Sequence, residues 1–297
     1  MLASDRRLTF GEGPRVGEIY DDDTCKLVSL CGTTGIAYTG LGKIENAPTH
    51  QWIAKTLAAA GCSDAAHAVE MSGSGFAARI IENRATTAFS TVRKSVRRHA
   101  FFLAGWAMFG SPATLNPYNC IISNMYDASK QNASEPLDSF SSFLRVLERN
   151  EQSYGHLLGE SLSKERAEQL SRNVRRLAER RIGPQETLRL LSDEIVHTSG
   201  ICTTVGSKIL GFCIPRESVL KQFETGQTVM VATQPNSSVA TFTYFEKGFN
   251  ELQQYGPTVC CGESAYTDLK TENDPSRDFQ SSEFRILALP KPKPSGQ

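Results

Sequence analysis

Histidines, a serine set among glycines and a few clustered charges are the residues of this chain whose types could do chemistry. The histidines stand at 50, 67, 99, 156 and 197, and none has a partner at the helical spacing of a metal site. His67 and Glu70, three residues apart, read as a surface pair. No metal and no cofactor is expected. Ser72-Gly73-Ser74-Gly75 surrounds a serine with glycines, but it lacks the preceding strand and the Gly-x-Ser-x-Gly spacing of a nucleophile elbow, so it reads as a loop. Asp5, Arg6 and Arg7 follow Met1, Leu2 and Ala3 at once, which taken alone is a charged strand end in water. Lys26 taken alone is a solvated strand-edge residue of the kind that discourages edge pairing. Arg172, Arg175, Arg176, Arg180 and Arg181 crowd one helix, yet Glu165, Glu168 and Glu179 offer partners one turn away, and a solvated face is the expectation. The stretch 260–278, CCGESAYTDLKTENDPSRD, is acidic and turn-rich without the EF-hand pattern, and reads as a structured loop.

The elements that must position these groups can be read from periodicity. CKLVSL (25–30) and GIAYTG (35–40) are β-rich runs around a small-residue turn, a hairpin. The period then changes: Thr49 can cap a helix in which Trp52, Ile53 and Leu57 share a face and Gly61 ends it. SDAAHAVEM (63–71) repeats that pattern, and in 72–98 SGSG breaks the helix, so that the stretch reads as a helix with a loop inserted into it. HAFFLAGWAMF (99–109) and YNCIISNMY (118–126) form a second strand pair, with FSSFLRVLE (140–148) as a third strand. Two helices follow, 163–181 and 184–197, separated by Gly183 and started by Pro184, and then a strand pattern over 201–215. Beyond it, TVMVAT (228–233), ATFTYF (240–245) and FRILALP (284–290) are strand candidates. Strands and helix pairs in alternating blocks argue for antiparallel sheets with helices on the outer faces, an α+β fold.

A length of 297 residues is enough for a core that needs no staples. Lys plus Arg and Asp plus Glu are both 32, so the chain presents no net field toward a polyanion and no nucleic-acid partner is expected. The eight cysteines lack zinc-site pairs and the dense spacing of a secreted scaffold, and read as reduced thiols of a cytoplasmic protein. Cys31, Cys120, Cys202 and Cys213 fall in apolar runs. No apolar run approaches a membrane span and the first residues do not form a signal peptide, so no membrane partner is expected.

Order and spacing of the early segments resemble the proteasome β-type branch of the N-terminal nucleophile (Ntn) hydrolases. The match runs through ASDRRLT (3–9), DDDTCKLVSL (21–30), GIAYTGLG (35–42), the helix at Thr49 and HAFFLAGWAMF. The resemblance implies a four-layer αββα sandwich of antiparallel sheets with residues 1–215 as the core domain; 216–289, where the similarity is faint, is expected as an extension packed on it, and the basic, Pro-rich 290–297 as a flexible tail. It places the family's catalytic aspartate on Asp5, its arginine on Arg7, its lysine on Lys26 and its oxyanion-hole glycine on Gly40. Such an enzyme uses its first residue as nucleophile and that residue's α-amine as proton acceptor. A lysine lowers the nucleophile's pKa, a carboxylate aims the lysine, and a glycine N–H binds the oxyanion.

The sequence departs from that pattern twice. Where the family has an Asp followed by Ser-Gly, Ser199-Gly200 is preceded by Val196. The nucleophile should also head a strand about a dozen residues before Met1, paired with the strand ending at Asp5. The expected fold therefore lacks its first strand, and the chain from Met1 is expected to be inactive in the family's amide or peptide hydrolysis. An enzyme with its start lost or mis-assigned is preferred over a non-catalytic structural or interaction subunit. Peptides or small amides are the expected substrates if it is active, and a homo-oligomer is the expected assembly.

Overall fold

In the computed structural model of the chain, the described residues are 2–11, 13–22, 24–30, 33–60, 76–109, 114–127, 129, 131–147, 162–180, 184–207, 209–214, 216 and 219–220, together with five strands after 240. Eleven strands precede those five: β1 (Leu2–Asp5), β2 (Leu8–Thr9), β3 (Ile19–Asp21), β4 (Leu27–Leu30), β5 (Thr34–Thr39), β6 (Lys43–Ile44), β7 (Ala47–Pro48), β8 (Ala100–Phe109), β9 (Thr114–Ser123), β10 (Ser141–Val146) and β11 (Ile209–Cys213). Helices α1 (Thr49–Ala59) and α2 (Phe76–Phe89) come before β8, and α3 (Lys164–Glu179) and α4 (Pro184–Ser199) before β11. The later strands are β12 (Thr241–Phe245), β13 (Glu251–Gln253), β14 (Thr258–Val259), β15 (Ala265–Lys270) and β16 (Glu283–Ala288).

Two sheets carry the architecture. The larger has eight strands in the order β10-β9-β8-β5-β4-β14-β15-β16, and the smaller has four, β1-β11-β12-β13. Every pairing is antiparallel except that of β14 with β4. Strands from the C-terminal part enter both sheets: β12 pairs with β11 and β14 with β4. Along β4, β5 and β8 the side chains alternate between two cores, as the two-residue strand period demands. Val28, Leu30, Ile36, Tyr38, Phe101 and Leu103 join Trp52, Ile53 and Leu57 of α1 and Ile81, Ala85 and Phe89 of α2 in the first core. Leu27, Phe102, Ala37 and Ala104 turn the other way and meet Leu2 of β1 and Ile214 after β11 in the second. β4, β5 and β8 are therefore buried on both faces, by helices on one and by the small sheet on the other, and α4 packs on β1 and β11 with α3 beside it. Each fully buried Leu, Ile or Phe contributes roughly 1.5–3 kcal/mol, so the two cores hold the sheets in place.

The hairpin of β4 and β5 forms where it is expected, with Leu27 opposite Ala37 and Leu30 opposite Thr34. Elsewhere the local reading is corrected. The strand pattern over 201–215 gives β11 only from Ile209, because residues 201–207 form turns tied to other parts of the chain. Thr49 is the first residue of α1, and its hydroxyl donates to the Leu41 carbonyl at 2.6 Å, which fastens the helix start to the loop after β5. Of the stretch 72–98, residues 76–89 form α2, with Ala78, Ile81, Ala85 and Phe89 on its buried side. The strand β9 begins four residues before Tyr118, and Ala265–Lys270 is strand rather than loop. Ser163 does cap α3, its hydroxyl accepting from Arg166 N at 3.3 Å. The expected helix over 63–71, the loop at 72–75, the strand over 228–233 and the tail from 290 lie outside the described residues. Among the described residues no helix is long and apolar enough to cross a membrane.

Candidate functional site

Asp5 ends β1 because its own carboxylate takes the next available amide: Arg7 N donates to Asp5 Oδ1 at 2.9 Å, a side-chain turn that competes with further strand pairing. The same oxygen accepts Gly206 N at 3.2 Å from the turn before β11. Lys26, one residue before β4, reaches across and places Nζ 3.1 Å from Oδ1 and 3.2 Å from Oδ2. Only 18% of the Asp5 side chain and 12% of the Lys26 side chain is exposed. Two ions so far out of water hold together only because the carboxylate also receives backbone N–H groups.

Arg7 braces this pair from outside. Its Nε and Nη2 fork onto the two oxygens of Asp22, at 2.8 and 3.3 Å, and Nη1 donates to the carbonyls of Thr203 and Val205 at 3.0 and 3.2 Å. The Asp22 carboxylate, and less strongly Asp5, raises the guanidinium pKa further and keeps it charged. The acidic turn is held in turn by Thr24, whose N donates to the Arg6 carbonyl at 3.0 Å and whose hydroxyl donates to Asp21 at 2.5 Å. Gly206 fits because a Cβ there would lie 2.8 Å from Arg7 Cβ. Residues 5–7, 21–26 and 203–206 thus form one hydrogen-bonded unit, and the turn at 203–206 is what the local pattern did not reveal.

Gly40 follows β5 with φ of +110°, and a Cβ on it would fall 2.4 Å from the Arg98 carbonyl oxygen and 2.6 Å from His99 Nδ1. Only glycine fits both the left-handed backbone and that close approach. Continuing the β4–β5 register beyond Leu27 and Ala37 puts Gly40 at the same end of the sheet as Lys26. Gly40→Ala is expected to destabilise the fold by at least about 2 kcal/mol, from backbone handedness plus the clash, read as a lowered urea midpoint.

Asp5, Arg7 and Lys26 are therefore brought into direct contact, whereas Gly40 shares their end of the sheet without a hydrogen bond to them among the described residues. Ser199 sits at the end of α4 with its hydroxyl on the helix's own Val196 carbonyl at 2.7 Å, so the Ser-Gly at 199–200 does not serve the aspartate. Sequence reasoning passed over His99. It is fully buried, accepts Leu41 N on Nδ1 at 3.0 Å, and burial pushes its pKa down to about 3. The visible signal was a histidine at the head of the apolar run AFFLAGW. His67, Glu70 and His156 lie outside the described residues.

The basic helix α3 exposes Arg175, Arg176 and Arg180; Arg172 sits 3.7 Å from Glu168, and Arg166 binds Glu194 of α4. Among the described residues no three His, Cys, Asp or Glu gather as a metal site would require. Cys120 is buried in β9 and burial pushes its thiol up to about 12, which leaves it a core residue without thiolate chemistry at neutral pH. The chain matches no protein-family model and no curated protein.

Proposed function

We propose that this chain is a proteasome-like relative of the Ntn hydrolases, and that Asp5, Lys26 and Gly40 support amide-bond hydrolysis by a nucleophile on a strand running ahead of β1. The observation that carries the reading is the Lys26 ammonium held on both oxygens of Asp5, largely out of water, at the end of a strand that has one partner in its sheet among the described residues. A lysine so fixed is a charge aimed at one place, and what it offers a neighbouring hydroxyl or thiol is a lowered pKa. The layer contacts, α1 and α2 on the large sheet, the two sheets face to face, and α4 with α3 outside, support the four-layer αββα arrangement.

On this reading the nucleophile's α-amine takes the proton as its side chain attacks the amide carbon. The Gly40 N–H meets the charge that grows on oxygen, the amine leaves with the proton, and water releases the acyl group. Arg7 does not take part in proton transfer; forked on Asp22, it keeps the 203–206 turn against Asp5. Peptides are the proposed substrates, and assembly with copies of itself is proposed with them.

A second reading, a non-catalytic subunit of such an assembly, is favoured by the number of donors on Asp5: with Arg7 N, Gly206 N and Lys26 all on it, the carboxylate also works as a latch between β1, β4 and β11. The N-terminal residue of the protein as its source cell makes it, identified by peptide mapping, separates the two. A Thr, Ser or Cys with a free α-amine, about a dozen residues ahead of Leu2, is the expected result. A mature terminus at Met1 would sink the catalytic reading in favour of the latch.

A further inference from the structure

His99 stands immediately before β8, fully buried, with Phe101 at 4.5 Å, Phe89 at 5.1 Å and Phe140 at 6.5 Å between ring centroids, and Tyr38 stacked at 6.0 Å. Because Nδ1 accepts the Leu41 N–H, the proton of the neutral ring sits on Nε2. Nε2 is buried and has no hydrogen-bond partner among the described residues. A phenylalanine would fill this aromatic site and would carry no unmet Nε2–H, so packing alone gives no reason for an imidazole. What the imidazole has and a phenyl ring lacks is the acceptor turned to Leu41.

That acceptor governs the loop after β5. Leu41 N–H and the Gly40 carbonyl belong to one rigid peptide plane, so fixing the first orients the second. On the far side Thr49 Oγ1 donates to the Leu41 carbonyl at 2.6 Å and Thr49 N to that of Gly42 at 2.9 Å. Gly40 itself lies against the ring, with Nδ1 2.6 Å from where a Cβ would stand. The loop is clamped between a core histidine and the first turn of α1, and the clamp leaves the Gly40 backbone one conformation, at φ +110°.

We infer that His99 is a positioning residue: through its bond to Leu41 it sets the orientation in which the Gly40 N–H meets the oxyanion. The inference rests on the reading of Gly40 given under Proposed function, and it adds to that reading a second, buried residue on which turnover depends. Exposed polar groups could hold the loop, but water would compete with them; here the acceptor is a fully buried ring, so water reaches it less readily.

Two measurements test it. In the isotopically labelled 297-residue chain, a scalar coupling across the N–H···N bond joins the Leu41 amide nitrogen to His99 Nδ1 and disappears in His99→Phe. In the protein as its source cell makes it, assayed on fluorogenic peptide amides, His99→Phe lowers kcat about tenfold to a hundredfold with KM unchanged. His99→Asn, whose Oδ1 takes the place of Nδ1, recovers most of kcat although its smaller side chain underfills the site and melts below His99→Phe. Activity and stability then run in opposite orders, which a residue needed only for packing would not give. Equal kcat in wild type and His99→Phe, or activity that follows melting temperature, overturns the positioning role and leaves hydrolysis standing. An absent coupling overturns the hydrogen bond on which it depends. No turnover by the wild type overturns the reading of Gly40, and the inference with it.

Discussion

Asp5→Ala lowers the unfolding free energy by about 3 kcal/mol, the scale of a buried ion pair broken from one side. The variant leaves the Lys26 ammonium, 12% exposed, without its counter-charge, and strips the acceptor from Arg7 N and Gly206 N together. The turn at 203–206 then keeps its Arg7 contacts, but its bond to the end of β1 is lost. Asp5→Asn restores part of the loss, because one amide oxygen still accepts the backbone N–H groups while the ion pair is gone. Lys26→Met is milder than Asp5→Ala, since the carboxylate keeps both backbone donors and the methionine covers the same apolar ground. Urea midpoints of the three variants measure this order. An Asp5→Ala loss no larger than that of Lys26→Met would show that the carboxylate is not the centre of the unit.

Acid weakens the fold through His99, and the sign follows from where the proton goes. The ordinary histidine pKa of 6.5 applies to the unfolded chain, while burial holds the folded value at about 3. Between these the unfolded state carries a proton that the native state refuses, so stability rises with pH across the window. The contribution is complete above 6.5 and is lost as pH falls toward 3, at about 1.4 kcal/mol per unit. From pH 6.5 down to 4.5 that amounts to roughly 2–3 kcal/mol. Carboxylates elsewhere also titrate in acid, so the informative quantity is the difference between wild type and His99→Phe at each pH. That difference should grow toward acid, with wild type losing the more; parallel curves would mean that the ring takes its proton in the folded state as readily as in the unfolded one.

Local pattern carried the parts of the fold that local pattern controls. CKLVSL and GIAYTG turn about small residues, and the hairpin of β4 and β5 is there. Pro184 and Gly183 separate two helical periods, and α3 and α4 occupy them. The misreadings fall where a distant residue decides. Residues 201–207 have the composition of a strand, but Arg7, nearly two hundred positions earlier, takes the carbonyls of Thr203 and Val205, and Asp5 takes Gly206 N. Thr49 has the identity of a cap, but the carbonyl to which its hydroxyl donates belongs to Leu41, in the loop after β5 and eight residues back.

The candidate site shows the same division. Asp5, Arg7 and Lys26 were singled out by order and spacing against a family pattern, and they meet in space. Gly40 was singled out in the same way, but the reason it must be glycine comes from Arg98 and His99 on another strand's approach, which no window around residue 40 contains. His99 was legible only as one histidine among five, because an unmet Nε2 is a property of the packed core and not of the neighbouring letters.

The central claim is that Lys26, aimed by Asp5, serves a nucleophile ahead of β1, and covalent labelling tests it most directly. The protein as its source cell makes it is treated with an electrophilic peptide, an N-acyl peptide vinyl sulfone, and the adduct is mapped in wild type and in Lys26→Met, with melting curves confirming that both are folded. The account predicts an adduct on a Thr, Ser or Cys at the amino terminus of the peptide preceding Leu2, formed by the wild type and lost in Lys26→Met. An adduct that forms equally fast without the lysine, or none at that terminus in the wild type, would contradict it.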